Sequence, residues 1–536
     1  MFCWVTRAAA VFCFIFSLSH LSFAQQTPQS GFAPTPPMGW ASWNHFFCDY
    51  DEKTIRAQAD ALVSSGMKDA GYKYVVIQEC IASKRDAEGN LLPDSKRFPS
   101  GMPALVDYIH SLGLKAGIYT DIGPYTCAHY LGSFGHEQQD ANTFAAWGMD
   151  FVEMDYCYAD TAHSGRWEYE RMAEAIKHAG RPMLFYICSW GNEQPWEWAQ
   201  GKAQMWRTEN DISSQKNIVT WQEVVRNFES NSAHSVFSGP ESWNDADMLE
   251  IGNPGLSDTE AQAHMSMWAI SPSGLLAGAD LTQMSKTIRD IYTNREVLAV
   301  NQDSLGAGAE MLPHVRTGLE VWARPLGTRT GGDYAVMLLN ATEKPETMDV
   351  SWSQLDLLPG PQVRDLWLHR DLSDARDGYS STVPAHAAVM LRIHGTRAWN
   401  RGVVFEAESP AQERIGAASL ATCGECSQGF AIALSGSNKP GSLKIGNVVV
   451  PSAGAYVLRL LFVRNGMGDR PISVKVNGAE IQTKALSTSW GKTDVPITLQ
   501  SGDNEITISF TGDRELYLDR AELLRPDTGH KVSVVK

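Results

Sequence analysis

Eight short apolar runs, each set apart by a stretch of different rhythm, constrain this chain more than any other feature. They are Met38–Trp43, Tyr74–Cys80, Lys115–Asp121, Phe151–Asp155, Met183–Trp190, Gln204–Thr208, Ser242–Met248 and Leu275–Asp280. Between most of them lie amphipathic segments. Glu52–Ala70 is one: Ile55, Ala59, Leu62, Val63 and Met67 share a helical face, and Gly71 follows as a helix-ending glycine. Strands joined by helical crossovers predict a parallel sheet, and eight of them over about 250 residues close a barrel. The expected fold class is α/β, with a (β/α)8 barrel over residues 33–305. Short apolar runs also occur as buried helix, so the count alone does not close the case.

The rhythm changes after residue 305. Leu319–Ala323, Tyr334–Asn340, Thr347–Trp352, Gln362–Asp365 and Ala388–Ile393 are short strands separated by Gly, Pro and Asp turns, which predicts an antiparallel β-sandwich domain over 306–395. A linker precedes a second all-β unit, 403–526, with strands at Ser442–Val450, Ala455–Val463, Pro471–Val476, Thr493–Leu499 and Asn504–Phe510. Asn477-Gly478 between two of its runs is a hairpin signal, and the unit reads as a β-sandwich. A chain of 536 residues is too long for one core, in keeping with several units.

Residues 1–24 read as a signal peptide: Arg7, an apolar run Ala8–Leu18, and Ser22-Phe23-Ala24 as the cleavage site. The run falls short of the ~20 residues a membrane span needs. The mature chain is expected to be secreted or periplasmic. The formal net charge of −16 for the full chain excludes nucleic acid and anionic membrane as natural partners. Of nine cysteines, Cys3 and Cys13 leave with the signal, and the odd remainder leaves at least one thiol unpaired. Cys423-Gly-Glu-Cys426 fits a local disulfide in an exported chain better than a zinc half-site or redox pair. The sequence leaves the oligomeric state open.

Two carboxylates sit where a barrel displays chemistry. Asp155 ends the buried run Phe151–Met154, and Asp211 follows Trp206-Arg207-Thr208-Glu209-Asn210. Carboxylates on two strand ends suit glycoside hydrolysis, in which one attacks the anomeric carbon and the other protonates the leaving oxygen. A strand-end Asp also serves as a helix cap or an arginine partner, and Arg207 as a structural ion-pair member. Seventeen Trp and sixteen Tyr offer faces for sugar rings, although aromatics fill cores as readily.

Several motifs in order carry a resemblance: Pro36-Pro37-Met38-Gly39-Trp40-Ala41-Ser42-Trp43-Asn44-His45-Phe46, Arg97-Phe98-Pro99-Ser100-Gly101-Met102, Gly117-Ile118-Tyr119, Tyr125-Thr126-Cys127, Trp206-Arg207-Thr208, Trp243-Asn244-Asp245-Ala246-Asp247-Met248-Leu249 and Val300-Asn301-Gln302-Asp303. Over about Pro36 to His394 the chain resembles glycoside hydrolase family 27, the α-galactosidases and α-N-acetylgalactosaminidases. The resemblance implies a retaining exo-glycosidase acting on oligosaccharide or polysaccharide, with no catalytic cofactor. Asp155 then matches the nucleophile and Asp211 the acid/base. Arg207 and Asp247 match sugar contacts, and Trp43, Tyr119 and Asp121 match pocket-lining residues. Cys48–Cys80 and Cys127–Cys157 match family disulfides, which leaves Cys188 over.

Some sugar-reading positions depart from the family. Two adjacent aspartates are replaced by Gln78-Glu79, a Lys two residues before the nucleophile by Glu153, and a Glu after the fifth strand by Ser189. Glu79, one methylene longer, is expected to push its carboxylate deeper into the pocket. The −1 sugar is therefore α-D-galactose or a relative of it: β-L-arabinopyranose, α-N-acetylgalactosamine or an isomaltosyl unit. A non-catalytic binding protein or a transglycosidase is the further alternative. In the C-terminal unit, Val403-Val404-Phe405-Glu406-Ala407-Glu408 and Tyr517-Leu518-Asp519-Arg520 resemble carbohydrate-binding modules of family 35. That resemblance implies a structural Ca²⁺ held by Glu406, Glu408 and Asp519; the alternative is solvated strand-end acids. Trp490 is a sugar platform or a core residue.

Overall fold

The eight expected runs form eight strands: β1 (Met38–Ala41), β2 (Tyr74–Ile77), β3 (Lys115–Asp121), β4 (Phe151–Asp155), β5 (Leu184–Cys188), β6 (Met205–Arg207), β7 (Trp243–Asp245) and β8 (Leu275–Ala277). The structure is a computed structural model that describes residues 31–526, apart from 161, 213–217, 314–315, 374, 436–439, 465–469, 486–489 and 511–514. The expected signal segment lies outside the described residues. All strands pair in parallel in the order β8-β1-β2-β3-β4-β5-β6-β7. Beyond β7, Leu249 bridges Ala277 in parallel, and its N–H donates to the Leu276 carbonyl at 2.8 Å. That bridge closes the ring.

Burial on both faces explains why the strands read as unbroken apolar runs. One set of side chains, including Tyr74, Val76, Phe151, Leu184, Tyr186, Met205, Trp243 and Leu276, fills the barrel interior. Their alternate neighbours, Val75, Ile77, Val152, Met154, Phe185, Ile187 and Trp206, pack outward under the helices. The interior is tight. A Cβ on Gly39 would meet the Tyr74 carbonyl oxygen at 2.5 Å, so β1 and β2 approach only because residue 39 is glycine.

The helix expected over Glu52–Ala70 is two helices, Glu52–Ser64 and Met67–Ala70. Gly66, with φ of 86°, adopts the left-handed conformation between them and stops the first helix five residues before Gly71, which is left-handed as expected. The apolar spacing runs straight across this break, so periodicity did not register it.

The antiparallel unit folds against the barrel. Its six-stranded sheet includes Leu319–Pro325, Asp333–Asn340 and Ala387–His394. Along Asp333–Asn340, Ala335, Met337 and Leu339 pack on the barrel's outer core, whereas Val336 and Leu338 face the unit's own core. Arg324 pins the arrangement: its buried Nη1 donates to the carbonyls of Ala269 (3.0 Å) and Val300 (2.7 Å) on barrel helices.

The C-terminal unit is a sandwich of a six-stranded and a five-stranded antiparallel sheet. Its core holds Leu443, Ile445, Leu458, Leu460, Phe462, Val474, Ile506 and Ile508. The expected hairpin turn is present, with Asn477 at φ 47° and Gly478 at φ 88° between Arg470–Val476 and Ala479–Ala485. The sandwich is seated on the rest of the chain. Phe430 meets Phe237 of the barrel edge-on at 5.2 Å, and the Thr330 hydroxyl bonds to the Val449 carbonyl.

Gly39→Ala should destabilise the protein by about 1–3 kcal/mol, because the new methyl overpacks the β1–β2 contact. The urea unfolding midpoint measures it; an unchanged midpoint would show that the barrel interior relaxes freely there.

Candidate active site

One cavity of about 250 Å³ opens at the C-terminal ends of the barrel strands. That is near the small end of ligand pockets, which run roughly 300–1,000 Å³. Asp155, the last residue of β4, stands in its wall. The Tyr119 hydroxyl donates to one oxygen at 2.7 Å and the Tyr156 N–H to the other at 2.8 Å. Burial and the nearby charge of Asp211 push the Asp155 carboxyl up to about 7, against these two hydrogen bonds.

Arg207 ends β6 and is buried. Its Nη1 lies 2.9 Å from Asp211 and 3.1 Å from Asp247, and its Nη2 donates to the Glu209 carbonyl at 3.0 Å. The Asp211 carboxylate is 41% exposed and faces the cavity mouth. Asp247 has φ of 98°, a strained backbone for a residue with a Cβ. Its carboxylate accepts from the N–H groups of Ile212 and Met248, both at 2.7 Å, so it fixes the loop that carries Asp211. Burial raises Asp247 to about 7, with Arg207 opposing.

The departing positions take forms the sequence did not give. The Gln78 side-chain amide donates to both oxygens of Glu153 at 2.9 and 2.8 Å, and its carbonyl accepts from the Trp43 N–H at 3.0 Å. Gln78 and Glu153 therefore act as one buried unit in the cavity floor. Burial, and then the charge of Asp155, raises Glu153 well above the usual carboxylate range. Glu79 corrects an expectation. Its backbone is left-handed (φ 58°), and its carboxylate turns to the loop after β3, accepting from Thr126 Oγ1 at 2.5 Å and Ala128 N–H at 3.1 Å. It lines the cavity but does not extend deeper into it.

Asp121 is a second correction. It is fully buried and stands outside the cavity lining. It accepts from the N–H groups of Gly123 (2.7 Å) and Cys157 (3.0 Å), so it ties the loop after β3 to the loop after β4. A strand-end carboxylate looks the same in sequence whether it faces substrate or holds a turn. Ser189 is likewise outside the lining, with a buried hydroxyl that has no hydrogen-bond partner among the described residues. Trp43 and Tyr119 do line the cavity.

The structure adds wall residues: Asn44, Phe47, Trp190 and Glu250. Glu250 is buried, bonded to Asn44 and, at 2.6 Å, to Asn253, and burial raises it to about 8. It sits one residue beyond the motif ending at Leu249, which was the available signal. Cys48–Cys80, Cys127–Cys157 and Cys423–Cys426 are disulfides, and Cys188 is a buried free thiol.

Among the described residues, one trio of potential ligands lies within 4.8 Å: Asp121, Cys127 and Cys157. Its two sulfurs are bonded to each other, so it offers no thiolate. Glu406, Glu408 and Asp519 are brought to neighbouring positions, less tightly. Ser427 Oγ lies 2.7 Å from both Glu406 and Asp519, and the Ser427 N–H donates to Asp519 at 2.7 Å. Glu408 is fully buried, and among the described residues no other residue donates a hydrogen bond to either carboxylate oxygen. Trp490 is 39% exposed, with its indole N–H donating to Glu425 at 2.7 Å.

The family model for alpha galactosidase A matches residues 35–303, and that for the alpha galactosidase C-terminal beta sandwich domain matches 316–393. Alpha-galactosidase A of Cellvibrio japonicus is 43% identical over 380 residues, spanning 67% of this chain and 92% of that protein. The chain belongs to the α-galactosidase family, glycoside hydrolase family 27. It is a glycoside hydrolase. The crystal structure of α-galactosidase I from Mortierella vinacea superposes with a TM-score of 0.65 at 34% identity, covering 69% of this chain and all of that one. An α-galactosidase from Saccharomyces cerevisiae, solved with raffinose, gives 0.63 at 27% identity, covering 68% of this chain and 99% of that one. Residues 403–526 of this family member lie beyond both matched ranges.

Raised carboxyls have a consequence for stability. Such a group binds its proton more tightly in the folded than in the unfolded chain. It stabilises the fold at acid pH, and the gain is lost as pH climbs through the folded value. With ordinary values of about 4 in the unfolded chain, Asp155 and Asp247 near 7 and Glu250 near 8 place that loss between about pH 4 and 8. Melting temperature should fall across this window. Asp155→Asn should remain folded, gain about 1 kcal/mol above pH 7, and flatten the fall. A variant that melts with the same pH slope as the wild type would remove Asp155 from the set.

Proposed function

We propose that this chain is an exported, retaining exo-glycosidase that removes terminal α-D-galactosyl residues from oligosaccharides or polysaccharides. The observation that carries the reading is that two carboxylates, Asp155 at the end of β4 and Asp211 on the loop after β6, face one small cavity beside the buried Arg207. Asp155 attacks the anomeric carbon while Asp211 delivers a proton to the glycosidic oxygen, and the C1–O bond breaks. The product is a β-linked glycosyl-Asp155. Asp211, now ionised, takes a proton from water, whose oxygen displaces Asp155 with a second inversion. Retention calls for the two carboxyl groups roughly 5–5.5 Å apart. Asp211 must leave Arg207 for the glycosidic oxygen, and its place at the mouth allows that swing. Tyr119 holds the attacking carboxylate in line, and Arg207 with Asp247 positions the sugar. No catalytic cofactor is needed.

The names of the matched relatives support galactose. The arrangement of Gln78 and Glu79 supports a second reading, a sugar that differs at C4 to C6 such as β-L-arabinopyranose, because the polar groups of both residues are already engaged within the protein. Disulfides support an oxidising compartment and hence the signal-peptide reading. The domain boundaries that go with this proposal are 33–305, 306–395 and 403–526.

The C-terminal sandwich is proposed as a carbohydrate-binding module stabilised by Ca²⁺. The two unpartnered, buried oxygens of Glu408 are the observation that fits a hard cation, with Glu406 and Asp519 beside it. The ion would supply structural charge neutralisation only.

Wild type and Asp155→Ala should be assayed on p-nitrophenyl α-D-galactoside, α-N-acetylgalactosaminide, β-L-arabinopyranoside and α-isomaltoside, with the first-formed product anomer read by NMR. Expected are turnover of the α-galactoside with retention, loss of turnover in the variant, and a drop of roughly 10²–10⁴-fold in Asp211→Ala. Inversion, or activity surviving Asp155→Ala, would sink the mechanism; turnover of another glycoside alone would replace the sugar. Separately, burial raises Glu408 to about 8, so the uncompensated fold should lose stability as pH rises through that value. Millimolar Ca²⁺ at pH 8 should raise the melting temperature of the wild type and leave Glu408→Gln unmoved; equal responses would exclude this site.

A further inference from the structure

Two tyrosines stand out at the rim of the barrel. Tyr125 is 47% exposed and Tyr158 is 46% exposed, although both lie on short loops at the catalytic end. Tyr125 is two residues before Cys127, and Tyr158 follows Cys157 directly. The disulfide joining those cysteines forms part of the cavity wall, so the rings belong to the outer edge of that wall.

The loops are built to hold the rings in place. His129, also exposed, completes a cluster: its ring lies 4.8 Å from Tyr158 and 6.3 Å from Tyr125, and Tyr158 stands edge-on to Tyr125 at 6.4 Å. The Tyr158 hydroxyl and His129 Nε2 are hydrogen-bonded at 2.8 Å. Tyr158 (φ 50°) and His129 (φ 63°) both carry left-handed backbones, which few side-chain-bearing residues adopt. Gly123 lies so close to this turn that a Cβ would meet the carbonyl oxygens of Cys157 and Tyr158 at 2.4 and 2.5 Å. The Glu79 carboxylate anchors the first loop through Thr126 and Ala128. Preformed tyrosines offer wide, rigid, amphipathic contact at low entropic cost, and the C–H face of a pyranose stacks on such rings.

The cavity has room for about one sugar ring, so whatever is joined to that sugar lies outside, over the rim. We propose that Tyr125, His129 and Tyr158 form a platform for the leaving-group saccharide, which makes the enzyme favour oligosaccharide over small aglycones. This rests on reading the cavity as the glycosidase site that holds the terminal sugar.

The test compares two substrates that share that sugar. An α-galactosyl fluoride has a one-atom leaving group that cannot reach the platform; raffinose carries two further rings. In the Tyr125→Ala/Tyr158→Ala double variant, KM for raffinose should rise about five- to tenfold, the scale of one or two lost aromatic contacts. Its kcat, and both constants on the fluoride, should stay within about twofold. Tyr125→Phe/Tyr158→Phe should restore raffinose KM. A parallel loss on both substrates would mean that the rings only support the wall, and an unchanged raffinose KM would mean that they touch no sugar; either overturns the platform. If the wild type turns over another glycoside instead, galactose is wrong and the same comparison is made with that sugar's fluoride and oligosaccharide. Turnover of no glycoside overturns both readings.

Discussion

One buried guanidinium holds this active site together. Arg207 is the cation around which Asp211 and Asp247 gather directly, with Asp155, Glu153 and Asp245 in its field. Several carboxyls in a small water-poor space repel one another and lose hydration, and both effects favour their neutral forms. Arg207 opposes this at Asp247, although burial still raises that carboxyl to about 7. Its hydrogen bond to the Glu209 carbonyl and the Asp247 grip on the Ile212 and Met248 N–H groups then fix the loop that carries Asp211. Charge, loop geometry and the position of the second carboxylate thus follow from a single residue at the end of β6.

The other half of the pocket is organised by a neutral amide in direct contact with a carboxyl. Gln78 on the β2 side and Glu153 on β4 meet across β3 at the level of Tyr119, and the amide satisfies a buried carboxyl that would otherwise face Asp155 unaided. Removing one partner would leave the other buried and unpaired, which costs more than the bond itself contributes. The Gln78–Glu153 side of the pocket and the Arg207 side rest on different hydrogen-bond partners, so one can be altered without dismantling the other.

Much of this was legible in the sequence, for a definite reason. Strands buried on both faces leave long apolar runs, and a carboxylate closing such a run is conspicuous; Asp155 and the eight strands were found that way. Asp121 closes a run just as plainly, yet its oxygens bind Gly123 and Cys157, because the direction of a loop is set by backbone contacts that spacing does not encode. The Gln78–Glu153 bond joins residues 75 positions apart and depends on the register of three strands. The outward turn of Glu79 depends on a left-handed backbone that few residues other than glycine announce. Gly66 broke a helix whose apolar spacing continued unbroken across it.

The seating of the C-terminal sandwich has a mechanical consequence. Phe430 against Phe237, the Thr330–Val449 hydrogen bond and the Asn400 and Arg401 contacts with the Asp356 turn tie the sandwich and the strand leading into it to the barrel and middle unit. It is mounted like a bracket and does not trail on a tether. Each point on its surface therefore keeps a constant distance and angle to the catalytic mouth. A ligand held on the sandwich would meet the barrel at one inclination, set by architecture instead of diffusion.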